Sequence, residues 1–590
     1  MTYFLPQADT VLRAARGLAL AHPGLIEVNS DPLYLRAGTG SPNRTVALVS
    51  GGGSGHEPLH TGLLGPGGLD AVCPGEVFAS PHNRQIYEAG VAVAKSDGVL
   101  LIIKNYTGDV INFQIAAERL RHDGIPVATV LVDDDLATDR TDTATGRRGT
   151  AATVVLEKLL GAFADQGAGL EDLARLGADI VARSRSLAVA ARAQTSPATG
   201  APAFDLASGT LDYGVGIHGE RGTRTIGHRP VEELVRQMTD DLLAALPAGR
   251  DKVLVVVNGL GATTSLELHA IGATLHDLLT ARGVQPLAIV PGTFTAALDM
   301  AGFSITLTRM RPEWADLWTA PADTPLVLPS RTLTQGALTQ STATQDTATQ
   351  GTAASPGTSA TVVAGPVVAQ AHVGDAPAGR AVLDRYALIV SQVHDDLTAL
   401  DQLVGDGDFG DNLAGGVRRA VKLNAAGTDG VAALAEAFLN DVGGTSGPLF
   451  GLLFQHLAGV SWSDDKAPDA PAVAEAARSS LAAVHRAGGA EVGDCTLVDA
   501  LAPAIDALAA AARDAADAPF TAAAEAAIEG ALSTAPLTPR RGRASYVGEH
   551  AVGVPDPGAL GVALLFIALS GVYEPAAATR LPDPRRVIRH

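Results

Sequence analysis

Residues 397–416, LTALDQLVGDGDFGDNLAGG, bring three carboxylates, Asp401, Asp406 and Asp408, into one short stretch. Carboxylates held that close repel one another unless a cation sits among them. Oxygen-only donors suit Mg²⁺, which keeps part of its water shell and shares the rest with substrate phosphates. The stretch therefore reads as a divalent-metal site for nucleotide chemistry, with a solvated acidic turn as the plainer alternative. Gly405, Gly407 and Gly410 formally spell GxGxxG. No buried strand precedes them, however, and Asp406 and Asp408 would repel a pyrophosphate. An EF-hand fails as well, because glycine takes the third ligand position and no bidentate glutamate follows at the required distance.

Three more polar clusters are bracketed by glycine. GGGSGHEPLH, residues 51–60, leaves the apolar run TVALVS and carries His56 and Glu57. GVLLIIKN runs into YTGDVINF and contributes Lys104 and Asp109, while DYGVGIHGERG holds His218. A glycine run leaving a parallel strand lets a ligand approach backbone amides at the sheet edge. Taken singly, a loop histidine is as readily structural as catalytic, and Lys104 with Asp109 would serve as a structural ion pair. The set of three points to a binding site. No Walker A sequence occurs, so this half is not a P-loop kinase.

These groups need two kinds of element to hold them. Apolar residues at Leu383, Ala387, Val390, Leu397 and Leu400 follow the spacing of a helix with one buried stripe, which delivers Asp401 at its end. The glycines then stop the helix and let the chain turn tightly. In the first half, TVALVS, GVLLIIKN, VATVLVDDD, KVLVVVNG and PLAIVPG alternate with helical patterns and read as buried parallel strands. The chain is accordingly expected to be multidomain: an N-terminal α/β part over 1–330, a flexible Thr/Gln/Ser/Ala-rich linker over 331–377, and an all-α part over 378–590. The segment around 182–200 suggests that the α/β part divides into two subdomains.

Bulk properties exclude several classes. With 46% hydrophobic and 18% charged residues over 590 positions, there is ample material for packed cores. A formal net charge of −20 disfavours nucleic acid and anionic membranes as partners. Cys73 and Cys495 are too few for a disulfide framework. The start, MTYFLPQADT, lacks a secretory pattern, and GVALLFIALSGVY is too short to span a bilayer. A cytoplasmic location is expected.

Across most of the chain the motifs resemble those of the dihydroxyacetone (glycerone) kinases. GGGSGHEP, VFASP, IIKNYTGD, GIHGE and NGLG are similar to the family's substrate domain. LDQLVGDGDFGDN, GGTSGPLFG, GDCTLVDAL, GRASYVGE and DPGA are similar to its nucleotide domain, an all-α helical barrel or bundle. The resemblance implies a single-chain ATP-dependent kinase acting on dihydroxyacetone, and by extension glyceraldehyde. His218 would form a covalent hemiaminal with the ketone, which also explains selectivity, since glycerol has no carbonyl to capture. Asp109 would take the proton of the attacking hydroxyl with His56 hydrogen-bonded nearby, and Gly53, Ser54, Gly55 and Lys104 would hold the substrate hydroxyls. Asp401, Asp406 and Asp408 would bind two Mg²⁺ ions bridging the ATP phosphates. The nucleotide would further meet Gly407, Phe409, Thr445 and Ser446. Gly493, Thr496 and Leu497 would border the adenine, with Arg543, Asp556, Pro557 and Gly558 at the phosphates and ribose.

Some positions depart from the family pattern. Phe409 stands where relatives often carry His or Cys; it cannot coordinate a metal and is expected to pack. Cys495 and the GVP before DPGA differ too. Erythrulose is a rival ketose, a non-catalytic carbonyl-binding regulator is a rival class, and cyclising cleavage of a flavin nucleotide is a side activity of the family. A homodimer is expected, and transfer within one chain or across a dimer stays open.

Overall fold

A computed structural model describes residues 3–6, 8–139, 146–197, 200–249, 251–329, 331–333, 378–405, 407–542, 544–547 and 551–589. The expected linker therefore lies outside the described residues from 334 onward, as do Asp406 and Arg543.

The first half contains two six-stranded sheets. One comprises β1 (Ile26–Ser30), β2 (Leu33–Ala37), β3 (Ala47–Ser54), β4 (Ala71–Val77), β5 (Val99–Lys104) and β6 (Val127–Val132), in the order β1-β2-β4-β3-β5-β6. The other comprises β7 (Ser184–Arg192), β8 (Thr210–Tyr213), β9 (Arg224–Gly227), β10 (Val253–Gly259), β11 (Pro286–Gly292) and β12 (Ala301–Arg309), in the order β11-β10-β12-β7-β8-β9. The apolar runs form strands because both faces are covered. Leu48, Leu100 and Ile102 enter one core, whereas their chain neighbours Ala47, Val49, Leu101 and Ile103 enter another, the two-residue period of a strand between layers.

The expectation of parallel strands holds for β3–β5, β5–β6 and β10–β11 and fails for the sheets as wholes. Both are mixed. β12 runs antiparallel to β10 and β7, and β1–β2 and β8–β9 are antiparallel pairs at the edges. The edge strands β1 and β9 carry exposed polar residues, and β12 interleaves buried Ser304, Thr306 and Thr308 with its apolar ones, so none shows the continuous apolar signature that marked the central strands. The stretch around 182–200 enters the second sheet as β7.

The second half is helical. Helix Arg380–Val404 buries Leu383, Val390, Leu397 and Leu400 along the expected stripe, and Asp401 is buried in its last turn. Helix Pro557–Tyr573 is buried on nearly every side, so the C-terminal apolar run is a central packing element. No helix among the described residues is long and apolar enough to cross a membrane.

The two halves touch within one chain. Gly444 N donates to Ser80 O at 3.1 Å, Asn112 Nδ2 donates to Gly444 O at 2.9 Å, and Arg84 lies 3.7 Å from Asp441. The approach requires glycine on both sides, because a Cβ at Gly443 would collide with Ser80 O and one at Gly108 with the Gly444 backbone.

Candidate active site

β3 ends at Ser54, and the following glycine loop is clamped by residues 294–298, in the connection between β11 and β12. Leu59 N donates to Phe294 O and Leu298 N to Gly55 O, each at 3.1 Å. Asn258, at the end of β10, holds that clamp in place: its Oδ1 accepts from Phe294 N and Thr295 N at 2.8 Å. His56 Nδ1 donates to Ala296 O at 2.8 Å, which fixes the tautomer. Its Nε2 is left as a bare acceptor, buried with no partner among the described residues. Burial, reinforced by His218 and Lys104, lowers the His56 pKa well below its usual range, so the ring stays neutral.

His218 stands edge-on to His56, with ring centroids 4.6 Å apart, and Tyr106 lies 4.4 Å away on another side. Glu220 accepts the His218 backbone N–H at 2.9 Å and the ring Nδ1–H at 3.3 Å. With the Nδ1 proton committed to Glu220, the ring's in-plane lone pair is on Nε2. Burial alone would raise the Glu220 carboxyl, but the hydrogen bond and charge of His218, with Arg148 behind, hold it well below the usual range. Arg148 is itself buried and paired with Asp135 at 2.6 Å. The GIHGE motif contains both His218 and the carboxylate that orients its ring.

Lys104 ends β5 and Asp109 occupies the first turn of helix Thr107–His122. Lys104 Nζ lies 3.7 Å from Asp109 Oδ2 and donates to Gly51 O at 3.2 Å. Asp109 Oδ1 is buried with no partner among the described residues, as expected of a base awaiting a hydroxyl. The Ser54 hydroxyl is already engaged, donating to Gly75 O at 2.7 Å. Of the expected substrate contacts, Ser54 thus has only its backbone and oxygen lone pairs to offer.

A separate cavity in the helical half gathers Asp401, Asp408, Phe409, Thr445, Ser446, Thr496, Leu497, Asp556, Pro557 and Gly558. Gly407 and Gly493 are not among its lining residues; Gly493 N is turned to Asp499 Oδ1 at 2.5 Å. Leu449, Phe450 and Val484 supply an apolar end suited to a base. At the other end the Thr445–Ser446 turn opens helix Ser446–Ala458, whose N-terminus favours phosphate. Phe409 packs as expected, its ring 6.0 Å from that of Phe450, while also lining the cavity. Burial and then the charge of Asp401 push the Asp408 carboxyl up to about 7. Two carboxylates that resist sharing negative charge fit a bound cation. Thr107 and Ile111, from the helix that carries Asp109, line the same cavity. The hydroxyls of Thr107 and Thr445 are both buried with no partner among the described residues, which fits phosphate oxygens arriving between them.

Two domain families match this chain, the Dak1 domain over residues 16–326 and the DAK2 domain over residues 403–571. The chain belongs to the dihydroxyacetone kinase family. Its two halves correspond to the substrate and nucleotide parts of a single-chain kinase of that family. It is 35% identical over 583 residues to L-erythrulose 1-kinase of Mycolicibacterium smegmatis, covering 96% of this chain and 99% of that one. It is 32% identical over 590 residues to dihydroxyacetone kinase 2 of Saccharomyces cerevisiae, covering 94% and 97%. The solved dihydroxyacetone kinase of C. freundii with AMP-PNP and Mg²⁺ aligns at a TM-score of 0.52 and 30% identity, covering 97% and 99%.

Motif reading does not single out several groups of this kinase site. Thr107 and Asn112 lie within YTGDVINF and Asn258 within NGLG, yet they matter, like Arg541, through contacts that no local pattern announces. Arg541 lines the cavity one step away from the motif that named Arg543, and the run PRRGR was its only sign.

Proposed function

We propose that this protein transfers the γ-phosphoryl group of ATP to the terminal hydroxyl of dihydroxyacetone, held as a hemiaminal on His218. The observation that carries the reading is the shared helix: Asp109 lies between Thr107 and Ile111, which line the cavity of Asp408, Thr445 and Ser446. A base for the acceptor hydroxyl and a cradle for the donor phosphates therefore meet at one helix end.

Addition of His218 Nε2 to the ketone makes one C–N bond and opens the C=O π bond. The oxygen takes up a proton and the ring gives up its Nδ1 proton, so the adduct carries no net charge. Glu220 is positioned to stabilise the ring while it is positive. Asp109 Oδ1 then receives the proton of the terminal hydroxyl as that oxygen attacks phosphorus. Asp401, Asp406 and Asp408 are the residues that would hold two Mg²⁺ ions, which supply charge neutralisation to the phosphates. Contact between Asn112 and Gly444 supports transfer within one chain, so a homodimer need not cross its domains to react.

Similarity to L-erythrulose 1-kinase supports a second reading, in which a four-carbon ketose is the acceptor. A histidine that captures carbonyls accepts either. A coupled ATP-consumption assay with dihydroxyacetone, glyceraldehyde, both erythrulose enantiomers and glycerol tests both readings. The ketose with the highest kcat/KM names the acceptor, and glycerol should be silent. Comparable turnover of glycerol, or none with any ketose, overturns the proposal.

A further inference from the structure

Beneath the ketone site, four titratable side chains from separate elements form a chain, and two of them, His60 and Glu157, have no part in the reaction outlined above. Lys104, His60, Glu157 and Asp109 are 1%, 4%, 0% and 2% exposed. Lys104 Nζ is 2.7 Å from His60 Nε2, and His60 Nδ1 is 2.5 Å from Glu157 Oε1. The Ser50 hydroxyl joins at 3.0 Å from His60 Nδ1, and the far end closes on Asp109, 3.7 Å from Lys104. Fully buried ion pairs are a poor way to gain stability, since apolar residues of similar volume often serve as well or better. A linked acid, imidazole and amine under a candidate base invites a reading in terms of proton position.

We propose that Glu157 and His60 are positioning residues for the phosphoryl transfer, forming a buried proton relay that matches the charge of Lys104 to that of Asp109. The inference rests on Asp109 being the base, as argued above. In one state Lys104 is an ammonium that donates to His60 Nε2, and His60 donates its Nδ1 proton to the Glu157 carboxylate. Two protons then shift, from Nζ to Nε2 and from Nδ1 to Oε1. The result is an amine, the other imidazole tautomer and a carboxylic acid. No proton is gained or lost, and only N–H and O–H bonds change.

The first state places a positive charge beside ionised Asp109 and stabilises it. The second removes that charge once Asp109 has taken the substrate proton, when separated charges in a dry interior have become costly. The groups facing Lys104 are Asp109 from helix Thr107–His122, Glu157 from helix Ala152–Asp165, and His56 and His60 from the β3–β4 connection. Their balance suits a relay. Burial pushes the Glu157 carboxyl up to about 8 against the pull of Ser50 and Lys104, and burial lowers Lys104 against the pull of Asp109 and Glu157.

The test is the pH profile of kcat for the full chain with Glu157→Gln, alongside Glu157→Asp and Asp109→Asn. Glutamine keeps a hydrogen-bond acceptor for His60 but cannot take the proton or hold charge on Lys104. The alkaline limb of kcat should move to lower pH, with kcat down roughly ten-fold or more and KM for ATP unchanged. Glu157→Asp should move both back toward the parent. A profile that superimposes on the parent at unchanged melting temperature overturns the relay. If Glu157→Gln does not fold, His60→Gln is measured in the same way. Failure of both to fold assigns the pair a purely structural role and also overturns it. Turnover retained in Asp109→Asn would instead sink the base assignment, a result distinct from an inactive Asp109→Asn beside an unmoved Glu157→Gln profile.

Discussion

Asn112 Nδ2 donates to Gly444 O at 2.9 Å, tying the helix that carries Asp109 to the loop that leads into Thr445 and Ser446. Asn112 is buried and stands one helical turn beyond Asp109, so the same face of one helix meets both the acceptor side and the donor side. That bond fixes the helix of Asp109 against the loop that leads into Thr445 and Ser446. Asn112→Leu should lower kcat by roughly 10- to 100-fold through misplacement, while ketone binding stays intact. Steady-state kinetics with calorimetry of the ketone checks it; a parental kcat would show that the latch does not govern the approach.

His218→Ala should abolish covalent capture and raise KM for the ketone by at least roughly 100-fold, with nucleotide binding preserved. Mass spectrometry under native conditions and nucleotide titration separate the two effects. Unchanged ketone saturation would remove His218 from its role.

Glu220→Gln keeps the shape at His218 and removes the charge. Loss of a charge-assisted hydrogen bond of about 1.5–3 kcal/mol corresponds to roughly 10- to 100-fold in ketone affinity. Because the Glu220 carboxyl is held below its ordinary value, the stability it contributes is present above that ordinary value. It is lost only as pH falls toward the depressed one. Parent and variant should therefore differ in melting temperature at neutral pH and converge in strong acid.

Metal removal should act oppositely on pH dependence. In the metal-free chain Asp408 and Asp556 are both pushed up to about 7, chiefly by burial. A carboxyl raised on folding binds more protons in the folded than in the unfolded state, so stability falls as pH rises from the ordinary carboxylate range through 7. Melting after chelation should show that decline. Added Mg²⁺ should raise the melting temperature more at alkaline than at acidic pH, since cation and proton compete for Asp408. Asp408→Asn should erase most of the difference, and a Mg²⁺ effect independent of pH would contradict the assignment.

The sequence by itself determined the two kinds of architecture and most of the candidate site. Short β-branched runs bounded by turn residues, such as TVALVS and GVLLIIKN, read as strands covered on both faces, and an apolar stripe at helical spacing reads as a helix with one buried side. Glycine-rich loops next to Asp401, Asp408, His56, Asp109 and His218 made those residues legible because their chemistry and their backbone freedom are local. What only the tertiary structure decided is pairwise. The antiparallel return of β12, the His56 tautomer fixed by Ala296, the orientation of His218 by Glu220 and Arg148, and the contact of Asn112 with Gly444 all join distant parts of the chain. So does the link from Lys104 through His60 to Glu157. A hydrogen bond or a burial energy belongs to two groups at once. Until the fold has brought the second group near, the first carries no mark of it.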